Sequence, residues 1–128
     1  MVEKLKIRID FKRYNIKMNT AELLIKSKGS ELQFQEVLAH IADHYSYSPS
    51  AFQNGTLKNS KEENQGSAKV FYFAQLNGLS QEDTLCLFAE HYQNVLDNPE
   101  GEGHQNIRQF RTNGWDGILF EQEVLVKK

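Results

Sequence analysis

The sequence contains a single cysteine, Cys86, and two prolines among 128 residues. One cysteine can form neither an intrachain disulfide nor a cysteine-based zinc site, so a reducing compartment is the simplest setting. No apolar run approaches the roughly 18 residues that a membrane helix needs, and the N-terminus lacks the apolar stretch of a secretory signal. These absences predict a cytoplasmic protein without a membrane partner.

Basic side chains are scarce outside the N-terminus. Residues 1–18 carry six basic and two acidic groups, whereas the other 110 carry nine basic and fifteen acidic groups. Because an acidic domain repels a phosphate backbone, we expect no nucleic-acid partner. The length suits one compact domain, which we expect to be a monomer.

The N-terminal residues 1–17 alternate between apolar and charged side chains, a period of two that is typical of a half-buried strand. The segment is therefore predicted to be a basic arm or an extra edge strand. It contains no serine, which is unlike the serine-rich signals of type III secretion. Since the helical patterns begin after Met18, we expect residues 1–17 to be dispensable for folding.

The rest of the chain is predicted to be mainly α, with about five helices and two or three short strands. A capping box of Asn19 and Glu22 begins the first helix, and Ser80 begins the fourth. The helix at 68–77 is apolar around most of its circumference, which predicts a buried central position. The other predicted elements are helices from about Leu32 to Pro49, from Ser80 to before Pro99 and at 104–112, a loop at 49–66 with a strand near 56–58, and a strand at "GILF".

Four separated motifs together resemble one family: "YSYSPSAFQNG" (45–55), "NQGSAKVFYFAQLNGLS" (64–80), "VLDNPEGEGHQNIRQF" (95–110) and "GWDGILF" (114–120). In this order they are similar to the HopJ type III effector family. The resemblance implies a compact, mostly helical bacterial domain of unknown biochemical activity at 18–122, followed by a C-terminal tail at 123–128. Ala68 stands where the family pattern often has cysteine, so a thiol can have no role there.

The "GSAK" motif allows two interpretations. Ser67 as N-cap after Gly66 would leave free amides at a helix start, where an anion is favoured, and Lys69 would add positive charge. Alternatively, Ser67 caps a core helix and Lys69 reaches outward. The motif lacks the spacing of a P-loop, and we expect no cofactor.

The "HQNIR" motif likewise allows two interpretations. His104 and Arg108 lie four residues apart on one helix face, where they could hold an anion and transfer a proton. They could instead cap the helix and pair with a nearby acid. His40 and His44 share a helix face, but no third neutral ligand accompanies them, so we predict no metal site.

Two functions follow from these motifs. The first is a non-catalytic binding protein with an unknown protein partner, and export by a type III system is its alternative to a cytoplasmic location. The second is a small enzyme or ligand-binding domain that acts on an anionic metabolite through Lys69, His104 and Arg108, with Ser67 in the same candidate anion site. Candidate supporting residues lie in the same four motifs: Asn54, Asn64, Gly66, Asn106 and Trp115.

Overall fold

A computed structural model describes residues 19–29 and 31–128, and the predictions for residues 1–17 lie outside this range. Six α-helices occur in the described residues: α1 (Thr20–Lys28), α2 (Phe34–His44), α3 (Gln65–Leu76), α4 (Gln81–Cys86), α5 (Glu90–Asp97) and α6 (Gln105–Asn113). A 3₁₀ turn follows at Gly114–Gly117. The strands are β1 (Tyr45–Tyr47), β2 (Phe52–Asn54), β3 (Leu57–Asn59), β4 (Ile118–Phe120) and β5 (Leu125–Lys127). The prediction of a mainly α fold with short strands is confirmed.

Two of the predicted helix starts have the side-chain caps that the sequence predicts. The cap at Asn19 is reciprocal, and the cap at Ser80 is a single hydrogen bond. Asn19 accepts a hydrogen bond from the Glu22 amide at 2.8 Å, and the Glu22 carboxylate accepts one from the Asn19 amide at 3.1 Å. Ser80 accepts a bond from the Asp83 amide at 3.0 Å. In both cases the side chain satisfies an amide that has no partner within its helix.

The single helix predicted between Ser80 and Pro99 is wrong, because a turn at residues 87–89 divides it into α4 and α5. Ala89 adopts φ 52° and ψ −122° at the break. Leu85, Leu87 and Phe88 are all buried, and three buried side chains within four positions cover more of a helix than one face. The turn therefore lets the chain bury both Leu87 and Phe88.

The predicted loop at 49–66 contains a β-hairpin instead of one short strand. Strand β2 pairs antiparallel with β3 on one side and with β4 on the other, in the order β3-β2-β4. Gly55 makes the turn with φ +61°, and an added Cβ there would collide with the side chains of Gln109 and Asn113. The amide of Thr56 also donates to the Gln109 side chain at 3.3 Å. The hairpin turn is thus packed against the C-terminal half of α6.

The segment 123–128, predicted as a tail, carries the last strand of the domain. Strand β5 pairs antiparallel with β1 in a separate two-stranded sheet. Val124 and Leu125 are buried in the core. The prediction of a tail is corrected because two apolar side chains anchor this segment.

Helix α3 lies at the centre of the core, as its apolar circumference predicts. Val70, Phe71, Phe73 and Ala74 are all fully buried. The Phe71 ring lies 5.3 Å from the Phe88 ring and 4.8 Å from the Phe110 ring, measured between centroids. The aromatic side chains of Phe88, which precedes α5, and of Phe110 in α6 therefore pack on α3.

His40 gives the fold a dependence on pH. Its ring is buried beside His44, with the two centroids 4.4 Å apart. Burial and the His44 charge lower the pKa of His40 from 6.5 to about 4. The unfolded chain therefore takes up a proton more readily than the folded chain, so stability is lost as the pH falls from about 6.5 towards 4.

We expect urea denaturation to show a lower free energy of unfolding for the wild type at pH 4.5 than at pH 7. His40→Leu removes the titrating ring and should lose clearly less stability over the same interval. Equal losses in the two proteins would show that other groups cause the acid sensitivity.

Candidate functional site

A cavity of about 390 Å³ lies where α3 and α6 both begin. The start of α3 contributes Asn64, Gly66 and Ser67, and the start of α6 contributes residues 104–107. We call this space the two-helix cavity. Its remaining walls come from α2, β3 and the region around the start of α5: Phe34, Leu57, Phe88 and His91.

Both helices start without a side-chain cap. Asn64 and His104 occupy the N-cap positions in the left-handed conformation, and neither side chain caps its own helix. In α3 the first amide that bonds back to the Asn64 carbonyl is that of Ala68, at 3.1 Å. In α6 the corresponding first amide is that of Ile107, at 3.0 Å. The preceding amides have no partner within their helices, so the positive ends of two helix dipoles face one space.

The prediction that Ser67 caps α3 is wrong, because the helix begins at Gln65 and Asn64 is its N-cap. Asparagine tolerates the left-handed conformation better than most residues, which allows the helix to start three residues earlier. Ser67 is the third residue of the helix and lines the cavity. Its hydroxyl makes no hydrogen bond to another residue in the described ranges.

Two histidines stand side by side in the cavity wall. The ring centroids of His91 and His104 are 4.9 Å apart. Burial, followed by the charges of His91 and Arg108, lowers the pKa of His104. Within residues 19–29 and 31–128, no nitrogen of the His91 or His104 ring has a hydrogen-bond partner. His91 has no local sequence signal, since it is a lone histidine in an amphipathic helix.

A network of asparagine side chains fastens the two helix starts together. The Asn59 side-chain oxygen accepts from the Asn64 amide group at 2.7 Å and from the Asn106 amide group at 3.1 Å. The Asn59 amide group donates back to the Asn106 oxygen at 3.2 Å. Asn59 and Asn106 are buried, so these bonds form away from competing water. Sequence reasoning missed Asn59, because an asparagine at the end of a three-residue strand resembles a turn residue.

Asn54 extends this network from β2. Its side-chain amide donates to the Asn106 backbone carbonyl at 2.8 Å and to the Asn106 side-chain oxygen at 2.9 Å. The Asn54 side-chain oxygen is buried and has no partner in the described part of the chain. A buried acceptor without a partner is costly, so the two bonds to Asn106 must offset that cost. The start of α6 is thereby held on the hairpin.

The two predicted cations do not line the two-helix cavity. The Lys69 ammonium lies 4.3 Å above the centre of the Tyr47 ring. Lys69 follows Ser67 by two residues, which turns its side chain about 200° around the helix from Ser67. The Arg108 guanidinium donates to the Gly103 carbonyl at 2.6 Å and to the Pro99 carbonyl at 3.3 Å, beside a different cavity.

Of the four predicted ligand-binding residues, the cavity therefore brings together Ser67 and His104. The predicted supporting residues Asn64, Gly66 and Asn106 also line it. Asn54 reaches the cavity through Asn106. Trp115 does not belong to the site, because it packs on Phe110 and donates to the Leu79 carbonyl at 3.1 Å.

A larger cavity of about 550 Å³ contains the only cysteine. Burial and the neighbouring Glu82 raise the pKa of the Cys86 thiol. A raised pKa keeps the thiol protonated and weakly nucleophilic. Lys28 and Asp83 in the same wall form an ion pair at 3.1 Å. In residues 19–29 and 31–128, no group of three acidic, histidine or cysteine side chains could hold a metal.

The chain belongs to the HopJ type III effector protein family, whose family model matches residues 18–125. The resemblance seen in the four sequence motifs is thus confirmed, and the match extends to the first residue of β5. The fold is similar to a crystal structure described as that of "unknown function protein VPA0580", with a TM-score of 0.81 and 40% identity. That similarity covers 88% of this chain and 97% of the other.

No curated protein matches the chain. Across residues 19–29 and 31–128, every helix is too short or too polar to cross a membrane.

Proposed function

We propose that this chain is a non-catalytic binding domain that takes a small anion into the two-helix cavity. The observation that supports the proposal is the convergence of two uncapped helix starts on one cavity of about 390 Å³. No aspartate or glutamate of the described residues lines that cavity. An anion there would face hydrogen-bond donors and no repelling carboxylate.

The donors are backbone groups held in place before the ligand arrives. The amides of Gly66 and Ser67 lie in the first turn of α3, and those of Gln105 and Asn106 lie in the first turn of α6. Helix dipoles favour negative charge at both positions. Because Asn59 ties the two starts together, the ligand does not have to order them.

A binding role fits the side chains better than catalysis. Ser67 and His104 line the same cavity, but their side chains share no hydrogen bond, so the serine lacks an activating base. The thiol of Cys86 lies in the other cavity and has a raised pKa. The proposal therefore assigns the cavity to recognition of a ligand.

We expect inorganic phosphate to raise the melting temperature of the wild type at constant ionic strength. At ten times its dissociation constant, phosphate should add about 1.4 kcal/mol, or roughly 5 °C for a domain of this size. Ser67→Asp places a carboxylate in the cavity at a helix position where the dipole favours it. This variant should fold normally and lose the response to phosphate.

Ala21→Asp is the matched control, since it adds the same charge to the first turn of α1, which does not line the cavity. It should respond to phosphate as the wild type does. A wild type that melts at the same temperature with and without phosphate would refute the site, as would an unchanged response in Ser67→Asp.

The same measurement separates the cavity from the cation cluster inferred from the sequence. A double variant, Lys69→Met with Arg108→Met, should keep the phosphate response, because neither side chain lines the cavity. Loss of the response in this variant would favour the original cluster of Lys69, His104 and Arg108.

Family membership supports a second expectation, that a type III system exports this chain from a bacterial cell. Fusion of the full chain to a translocation reporter tests it in strains with and without such a system. Equal reporter signal in both strains would favour the cytoplasmic location.

A further inference from the structure

We propose that anion binding in the two-helix cavity is coupled to protonation of the His91–His104 pair, which makes the cavity selective for tetrahedral dianions. The inference rests on the proposed function and assigns it a ligand class and a regulation by pH. The ligand class comprises inorganic phosphate and sulfate and small molecules that carry a phosphate monoester group.

The charge available in the cavity comes from the two helix starts and the two imidazoles. No lysine, arginine, aspartate or glutamate lines it among the described residues. Each helix start supplies the equivalent of about half a positive charge, so the two together offset about one negative charge. A dianion bound there would leave one further negative charge without a balancing positive charge. The two imidazoles are the groups in the wall that can supply it, by taking up a proton.

The geometry of the histidine pair leaves both rings open to a ligand. Both rings line the cavity, their centroids are 4.9 Å apart, and their nitrogens have no partner in the described residues. The Phe34 ring from α2 packs edge-on against His91 at 4.9 Å, which fixes that ring without using its nitrogens. The imidazoles therefore keep their hydrogen-bonding capacity for a ligand.

The surroundings of His104 oppose its protonation, and an anion in the cavity would reverse that. Partial burial is the main cause that lowers the pKa of His104. His91 from α5 and Arg108 from its own helix act in the same direction, because each disfavours a further positive charge. An anion within about 4–6 Å favours the charged imidazole and raises that pKa. Since the bound state then holds more protons than the free state, affinity must rise as the pH falls.

The size of the cavity argues for a ligand larger than a bare ion. A volume of about 390 Å³ leaves room beside a tetrahedral group, and Leu57, Phe88 and Ile107 offer an apolar wall there. Such a wall suits the organic part of a phosphate monoester.

Sulfate is the sharpest probe, because it keeps its charge across the pH range in which histidine titrates. We expect calorimetric titration at constant ionic strength to give tighter sulfate binding at pH 6.0 than at pH 7.5. Uptake of one proton per sulfate corresponds to about a tenfold change in dissociation constant per pH unit. Uptake of about half a proton corresponds to about a threefold change. Acetate, a monoanion, should bind more weakly and with a smaller dependence on pH.

His104→Asn should bind sulfate at pH 7.5 and lose most of the pH dependence. Asparagine tolerates the left-handed backbone at this position, so the helix start should be preserved. His91→Asn should have a similar effect on the pH dependence. His44→Asn is the matched control, because His44 belongs to the other histidine pair and lies outside the cavity.

Equal sulfate affinity of the wild type at both pH values would overturn the coupling and leave the proposed site intact. An unchanged pH dependence in both cavity variants would also overturn it. Absence of sulfate binding at either pH would refute the coupling and the proposed function together.

Discussion

Replacing Phe73 with alanine is expected to lower the free energy of unfolding by about 3 to 5 kcal/mol. Phe73 is fully buried in α3, where its ring lies 5.7 Å from the His40 ring and 5.8 Å from the Tyr45 ring. Truncation removes these contacts and leaves a hole that the surrounding helices cannot fully close. Urea denaturation followed by circular dichroism measures the loss.

Leu76→Ala is the control, because Leu76 belongs to the same helix and is 53% exposed. It should cost less than about 1 kcal/mol. If Phe73→Ala proves too unstable to measure, Phe73→Leu leaves a smaller hole and a measurable transition. Wild-type stability in Phe73→Ala would mean that α3 does not form the core.

Asn106→Ala is expected to lower the free energy of unfolding by about 2 to 4 kcal/mol and to weaken anion binding. Asn106 is buried and accepts bonds from Asn54 and Asn59. Its removal takes one of two hydrogen bonds from each of the Asn54 and Asn59 amide groups. Each buried donor left without its partner costs about 1–3 kcal/mol. The start of α6 also loses its tie to Asn59, so the melting temperature should respond less to phosphate.

Asn113→Ala is the matched control for this prediction. Asn113 is an exposed asparagine in the same helix, and its side chain bonds within that helix, to Gln109. It should cost less than about 1 kcal/mol and keep the phosphate response. A stability of Asn106→Ala equal to that of Asn113→Ala would show that the buried network contributes little.

The helices could be predicted where a local signal marks them. The caps at Asn19 and Ser80 are such signals, because each bond joins residues three apart in the sequence. The break at Ala89 and the start of α3 at Asn64 depend on what the neighbouring residues pack against. No strand exceeds three residues in the described ranges, so alternation is too short to detect and pairing partners decide the strands.

The candidate site could be predicted only in part, for a similar reason. Ser67 and His104 can be identified from the sequence because each lies near a predicted helix start, which is a local property. Their convergence depends on how α3 and α6 pack, which no spacing in the sequence reveals. Their charge predicts that Lys69 and Arg108 join them, yet helix geometry turns Lys69 away and backbone carbonyls hold Arg108. Asn59 and His91 gave no local signal.

The β2–β3 hairpin contacts α6 near both ends of the helix. Asn54 and Asn59 hold the N-terminal end, and the turn at Gly55 and Thr56 rests on Gln109 in the C-terminal half. Because the hairpin contacts α6 at two points, α6 cannot tilt or slide without it. The hairpin and α6 therefore move together as one rigid unit. Any movement of this unit that widens the two-helix cavity would stretch the 2.7 Å hydrogen bond between Asn59 and Asn64. That bond therefore opposes the widening.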